Sequence, residues 1–221
     1  MTNLKKIVKI IPSILTNDPT EAKELILRAE LVVDRVQIDV VDGVFADNKT
    51  ITPDSLESLD TKVLFDYHLM VNEPISWIEK VVRGQGDRVV GQIEKMSNQQ
   101  EFIAKATENG LSVGLAVDLG TPLTSLDELV LGDLDIVLLM SVKAGFIGQE
   151  FSLDVWEKIK ELVDMRGKNN YKFKICVDGG VTKELIVDME KSGVDEVVIG
   201  KRIFEGDLKE NIRLVTGGDN E

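Results

Sequence analysis

Three side chains able to move protons or hold a cation stand near the ends of short apolar runs. Asp39 lies in Gln37-Ile38-Asp39-Val40-Val41-Asp42-Gly43, His68 in Asp66-Tyr67-His68-Leu69-Met70, and Asp178 in Cys176-Val177-Asp178-Gly179-Gly180. Strand residues alternate faces, so Gln37 shares a side with Asp39, Asp66 with His68, and Cys176 with Asp178. If those sides face one interior, two carboxylates and an imidazole converge. Buried carboxylates are costly without partners, so the convergence implies a metal, a proton-transfer task or a dense hydrogen-bond network. Each residue alone has a plainer reading. His68 could be a satisfied core histidine and Gly179-Gly180 a tight turn, while Asp42 and Asp118 suit turns or helix caps. Three polar residues arriving from three strands at one rim favour the joint reading.

Such a convergence needs a scaffold whose strands end together. The chain alternates between β-branched runs and stretches of helical period, the pattern of a parallel α/β fold. Strands are predicted at 7–15, 35–41, 62–69, 87–93, 111–117, 135–140, 172–177 and 196–200. Helices are predicted at 20–30, 74–83, 99–109, 153–166 and 183–192, with weaker ones near Ser55 and Ser125. Asp18 before Pro19 and Ser97 before Gln99-Gln100-Glu101 read as helix starts, and Gly110 and Gly193 as ends. An Asp-x-Val unit recurs at Asp34, Asp87, Asp135 and Asp195, heading strands two, four, six and eight. A module used four times makes a closed (β/α)8 TIM barrel the predicted architecture, in preference to an open doubly wound sheet. One domain is expected over 1–215, with a disordered polar tail at 216–221. Catalysis in such a barrel belongs at the carboxyl ends of the strands, where Ser13, Gln92, Met140-Ser141 and Gly200-Lys201 also fall.

The formal net charge of −13 argues against a nucleic-acid partner. A small anionic metabolite remains compatible, since backbone N–H groups and a local cation can hold a phosphate. The one cysteine, Cys176, excludes an intrachain disulfide and reads as a buried thiol, which suits a reducing cytoplasm. Residues 1–15 read as a first buried strand rather than a signal peptide, because Lys9 and Pro12 interrupt the apolar run. No stretch is long enough to cross a bilayer, so no membrane partner is expected.

With these motifs in family order, from Ile11-Pro12-Ser13-Ile14-Leu15 to Ile199-Gly200-Lys201-Arg202-Ile203-Phe204, the chain resembles the ribulose-phosphate 3-epimerase family of ribulose-phosphate-binding barrels. The resemblance implies an isomerase that inverts the carbon beside the ketone of ribulose 5-phosphate, giving xylulose 5-phosphate. It casts Asp39 and Asp178 as acid/base groups on opposite faces of a planar enediolate. It also places a divalent metal, zinc, iron, manganese or cobalt, on Asp39, Asp178, His68 and a second histidine. Ser13, Met70 and Met140 match residues lining the sugar site. The run 141–149, with Ser141, Gly145, Phe146 and Gly148, matches a segment that closes over substrate. Gly179, Gly180, Gly200 and Lys201 match the loops that hold the phosphate. Relatives often associate as dimers or hexamers, so a homo-oligomer is compatible.

Several positions depart from the family pattern. Gln37 and Gln92 stand where histidines are usual, and Val41 where a methionine is. Lys143-Ala144 replaces Asn-Pro, Ile147 replaces Gly, and Lys201 replaces Ser. An amide oxygen is a weaker ligand than imidazole for zinc or iron and suits harder cations. Lys201 could add a point charge to the phosphate or simply face solvent. Two functions therefore compete. The first is an epimerase for ribulose 5-phosphate or a related ketose phosphate such as allulose 6-phosphate. The second is a catalytically weak phosphate-sugar-binding barrel. The decarboxylase and synthase relatives expect Asp-x-Lys-x-x-Asp, and Asp39-Val40-Val41-Asp42 lacks that lysine.

Overall fold

A computed structural model describes residues 7–146 and 148–216. Eight strands, β1 (Lys9–Ile14), β2 (Arg35–Val41), β3 (Leu64–Met70), β4 (Gly86–Gln92), β5 (Ser112–Val117), β6 (Ile136–Met140), β7 (Lys174–Asp178) and β8 (Glu196–Ile199), pair in chain order. All pairs are parallel, and β8 returns to β1, which closes the sheet. The predicted closed barrel is the observed one. Closure buries both strand faces: Val36, Ile38 and Val40 pack outward against helices, while Ile11, Val90, Ala116, Leu138, Cys176 and Val198 fill the interior.

The helices are α1 (Pro19–Glu30), α2 (Ile78–Arg83), α3 (Gln99–Glu108), α4 (Val155–Asn169), α5 (Lys183–Ser192) and α6 (Leu208–Thr216). The weak segments near Ser55 and Ser125 are 3-10 turns, Pro53–Leu56 and Leu123–Ser125. Asp18 caps α1 as its sequence suggests, its side chain accepting from Thr20 N at 2.8 Å. Ser97 does not cap α3. That position belongs to Asn98, whose Oδ1 reaches Glu101 N at 3.1 Å, because a cap must directly precede the first helical residue. Ser97 instead bonds to Glu73. Of the predicted tail at 216–221, Thr216 is instead the last residue of α6, and the rest lies outside the described residues. Asp207 Oδ1 accepts from Glu210 N at 2.8 Å and starts that helix, a signal present in Asp207-x-x-Glu210. Residues 1–6, part of the signal-peptide question, lie outside the described residues, as do 217–221.

The Asp-x-Val repeat has a physical basis. Asp87, Asp135 and Asp195 each accept the backbone N–H of the second residue of the preceding strand, Phe65, Val113 and Ile175, at 2.8 to 2.9 Å. Each carboxylate satisfies a strand-start amide that the ladder leaves open. Asp34 differs by pairing with Lys9 instead.

Inside the barrel, the amino-terminal end is closed by charge. Arg88 on β4 bonds to Asp66 on β3 and to Glu196 on β8, the latter at 2.7 Å. Arg35 also pairs with Asp66, and Lys174 reaches Glu196 at 2.7 Å. No helix among the described residues is long and apolar enough to cross a membrane.

Candidate active site

At the opposite end, β2, β3 and β7 each present one inward titratable side chain near their carboxyl termini: Asp39, His68 and Asp178. Asp39 pairs in register with His68, and Met140 with Asp178. Their relative exposures are 5%, 0% and 9%, so the groups interact with little water between them. His68 Nδ1 lies 3.2 Å from Asp39 Oδ1 and 3.7 Å from Asp178 Oδ2. Gln37, one turn of the strand pleat below Asp39, donates from Nε2 to Asp39 Oδ1 at 2.8 Å and to Asp178 Oδ2 at 2.7 Å. One amide thus ties together two carboxylates that lie far apart in the chain. Both aspartates also line the cavity at this end of the barrel.

Burial, reinforced by the Asp39 charge, pushes the Asp178 carboxyl up to about 7, against the pull of His68 and the Gln37 amide. For His68, burial disfavours the charged ring, yet the hydrogen bond and charge of Asp39 and the charge of Asp178 prevail and raise its pKa. Two like charges this close cannot both ionise cheaply, so near neutral pH the site holds a proton to give as well as a base to receive one.

The donor set fits a divalent cation. One ligand atom from each of Asp39, His68 and Asp178 falls within 4.8 Å of the others. Ligands about 2.1 Å from a tetrahedral centre lie about 3.4 Å apart. The imidazole-to-carboxylate separations of 3.2 and 3.7 Å bracket that value. Gln37 borders the same point, and a half-turn of its amide would offer oxygen where nitrogen now faces the carboxylates.

A cavity of about 940 Å³ opens above this cluster. Its walls include Ser13, Met70, Met140, Gly145, Phe146, Gly148, Gly179, Gly180, Gly200 and Lys201, together with Asp39 and Asp178. Three predicted site residues sit elsewhere. Gln37 and His68 lie beneath the carboxylates, and Ser141 is fully buried, its N–H and hydroxyl bonding to the Asp178 carbonyl at 2.7 and 2.9 Å. Ser141 therefore holds the strand end that carries Asp178.

Residues of the loop after β6, among them Gly145, Phe146 and Gly148, line the cavity. The Gly145 carbonyl accepts from Asn48 at 2.8 Å, and Ala144 N donates to Asp118 at 3.1 Å. Gly145 has φ +99°, and a Cβ there would lie 2.6 Å from Ala46 Cβ, so only glycine passes without displacement. Gly180 is similarly constrained, with φ +58° and a notional Cβ 2.4 Å from Phe151 N. Ile147 lies outside the described residues. Asp42 and Asp118 keep their plainer roles as acceptors of loop N–H groups.

Two residues bordering the site were not legible in the sequence. Arg28 on α1 donates to the carbonyls of Phe204 and Gly206 at 2.8 and 3.0 Å, anchoring the 3-10 turn Lys201–Phe204 that forms one wall. Glu94 stands behind Gln92 and His68, and only the adjacency of β4 and β5 reveals it.

Solved structures with the same fold include a mutant tryptophan synthase α-subunit from Pyrococcus furiosus, with a TM-score of 0.67, 16% identity, and coverage of 97% of this chain and 100% of that one. At that identity the likeness concerns the fold alone. Among curated proteins, ribulose-phosphate 3-epimerase of Bacillus subtilis is 34% identical over 217 residues, 95% of this chain and 99% of the relative. The enzyme of the same name from Treponema pallidum is 35% identical over 176 residues, 79% of this chain and 80% of the relative. The model of the ribulose-phosphate 3 epimerase family matches residues 9–204, a span that contains every residue of the site described above. The chain belongs to the ribulose-phosphate 3 epimerase family and is an isomerase.

Proposed function

We propose that this chain interconverts ribulose 5-phosphate and xylulose 5-phosphate by proton transfer between two carboxyl groups. The observation that carries this reading is the Asp39–Asp178 pair, bridged by one Gln37 amide, with the second carboxyl raised to about 7. One carboxylate removes the proton from carbon three on one face of the sugar, which leaves a planar enediolate. The other carboxyl delivers a proton to the opposite face and inverts the centre. Positioned acid–base groups of this kind contribute about 10² to 10⁴ in rate. Gln37 and His68 orient the oxygens that do not touch carbon, while the loop after β6 excludes water from the enediolate. The phosphate is assigned to the Gly179-Gly180 and Gly200-Lys201 loops, where backbone N–H groups suit an anion better than the chain's overall charge would suggest.

Asp39, His68 and Asp178 are the residues proposed to hold a divalent cation, with Gln37 as an additional oxygen donor. When bound, the cation supplies positive charge that stabilises the enediolate oxygens. Three oxygen donors to one nitrogen favour manganese or magnesium more than an imidazole-rich set would. Accordingly, Gln37→His is expected to raise zinc affinity on the order of tenfold, read by calorimetric titration of metal-stripped protein.

The decisive experiment is incubation with ribulose 5-phosphate in heavy water. Deuterium should appear at carbon three together with xylulose 5-phosphate. Allulose 6-phosphate run in parallel identifies the preferred chain length. Tight substrate binding with no deuterium incorporation, cations supplied, would rule out the epimerase reading and leave a binding protein. The buried Cys176 thiol is compatible with a reducing cytoplasm.

A further inference from the structure

We infer that Gln92, held in place by Glu94 and the Ala116 carbonyl, is a positioning residue that keeps a proton on Nε2 of His68 and so aims Nδ1 at the carboxylate pair. The inference rests on the reading that Asp39, His68 and Asp178 form the active site. Gln92 is the last residue of β4 and is fully buried, with its amide 3.3 Å from His68 Nε2. The far side of that amide meets the Ala116 carbonyl at 3.1 Å and Glu94 Oε2 at 2.7 Å. Both neighbours there are acceptors, so the amide nitrogen must face them, and its two N–H groups are then spent. The amide oxygen is left for His68, which can satisfy it only by donating from Nε2. Glu94 is itself held, because its other oxygen accepts the Asp118 N–H at 2.8 Å.

The consequence falls on the other ring nitrogen. With the proton of a neutral imidazole on Nε2, the Nδ1 lone pair points toward the same place as the oxygens of Asp39 and Asp178, 3.2 and 3.7 Å away. Such an arrangement invites a positive charge. An apolar residue at position 92 would leave Nε2–H without a partner in a buried site. The ring proton would then move to Nδ1 and be donated to Asp39, and the lone pair needed by a cation would disappear. A residue outside the carboxylate pair thus decides between a closed hydrogen-bond network and an open set of donors. Groups that accept the outer N–H of a ligating imidazole act in this way.

His68 is the only histidine in the chain, so nitrogen NMR of protein labelled at histidine reports one ring. Spectra are recorded at a pH where that ring is neutral, with and without zinc, for the native chain, Gln92→Met and Glu94→Gln. In the native chain Nε2 should be protonated in both states. Gln92→Met keeps the bulk and removes the acceptor. It should shift the proton to Nδ1 without zinc and weaken zinc binding about 10- to 100-fold. Glu94→Gln, which retains the hydrogen-bonding shape and guards against a Gln92→Met chain that does not fold, should populate both tautomers and weaken zinc binding less. A bare Nε2 in the native chain would overturn the inference, as would unchanged tautomer and zinc affinity in both variants. A native chain with Nε2–H that binds no cation would defeat only the cation assignment made above. Tight zinc binding through a ring with bare Nε2 would do the reverse.

Discussion

Two clusters of buried charge occupy opposite ends of one barrel, and they are built on different terms. At the amino-terminal end, Asp66 and Glu196 meet Arg88, Arg35 and Lys174, so each carboxylate has two cations. At the carboxyl end, Asp39 and Asp178 have one imidazole and one neutral amide between them. In the first cluster both carboxylates are ion-paired; Arg88 and Lys174 hold Glu196 below the usual carboxylate range despite its burial, whereas at Asp66 burial outweighs the two guanidinium charges and raises the carboxyl. The second is short of positive charge, and Asp178 rises to about 7. The same residue types at the same depth thus serve stability where they are paired and reactivity where they are not.

The sharpest way to break this contrast is to neutralise the active carboxylates. Asp39→Asn and Asp178→Asn should each lower deuterium incorporation about 10² to 10⁴-fold. Neither should reduce thermal stability much, because each removes one of two repelling groups. Variants that fold poorly would place both clusters in the same structural class. At the other end, Arg88→Met leaves Asp66 and Glu196 buried with fewer partners and should cost about 3–5 kcal/mol in urea unfolding. The molecules still folded should turn over substrate at the native rate.

Asp178 and Glu196, one at each end, should also respond to pH with opposite sign, up to about 1.4 kcal/mol per pH unit for each group. The folded pKa of Asp178 is above its ordinary 3.8, so the metal-free folded chain binds a proton that the unfolded chain releases. Stability from this group is greatest in acid and falls as pH rises from 3.8 through about 7. Glu196 has a folded pKa below 4.5, so its contribution is present above 4.5 and is lost as pH drops through the folded value. Unfolding curves across pH for Asp178→Asn and Glu196→Gln test this, since each variant should abolish one slope. The smallest effect is expected at Lys201, which is exposed at the cavity wall. Lys201→Ser should raise KM for the sugar phosphate by a few-fold at most, corresponding to about 0.2–1 kcal/mol for an exposed charge. An unchanged KM would mean that the ammonium faces solvent.

Much of this molecule is legible in its order of residues. Alternation along strands grouped Gln37 with Asp39, Asp66 with His68 and Cys176 with Asp178, so that Asp39, His68 and Asp178 converge if those sides face inward, and the Asp-x-Val repeat marked the even strands of the barrel. The repeat's function was hidden, since Asp87, Asp135 and Asp195 bond to amides 20 to 22 residues earlier. Arg88 gave no sign of lying on the axis, because a charged residue at a strand start usually faces solvent. Ser141 read as a cavity residue and proved to hold the Asp178 backbone. The final helix escaped notice although Asp207 and Glu210 announce it.

Sequence alone determined which residues share a strand face and in what order the strands follow, because side-chain periodicity is a local property of the backbone. It did not determine that one Gln37 amide spans two carboxylates 139 residues apart in the chain (178 − 39), or that Glu94 turns the Gln92 amide toward His68. Those contacts depend on strand stagger and on the closing of β8 against β1, which set distances between side chains that no local pattern encodes.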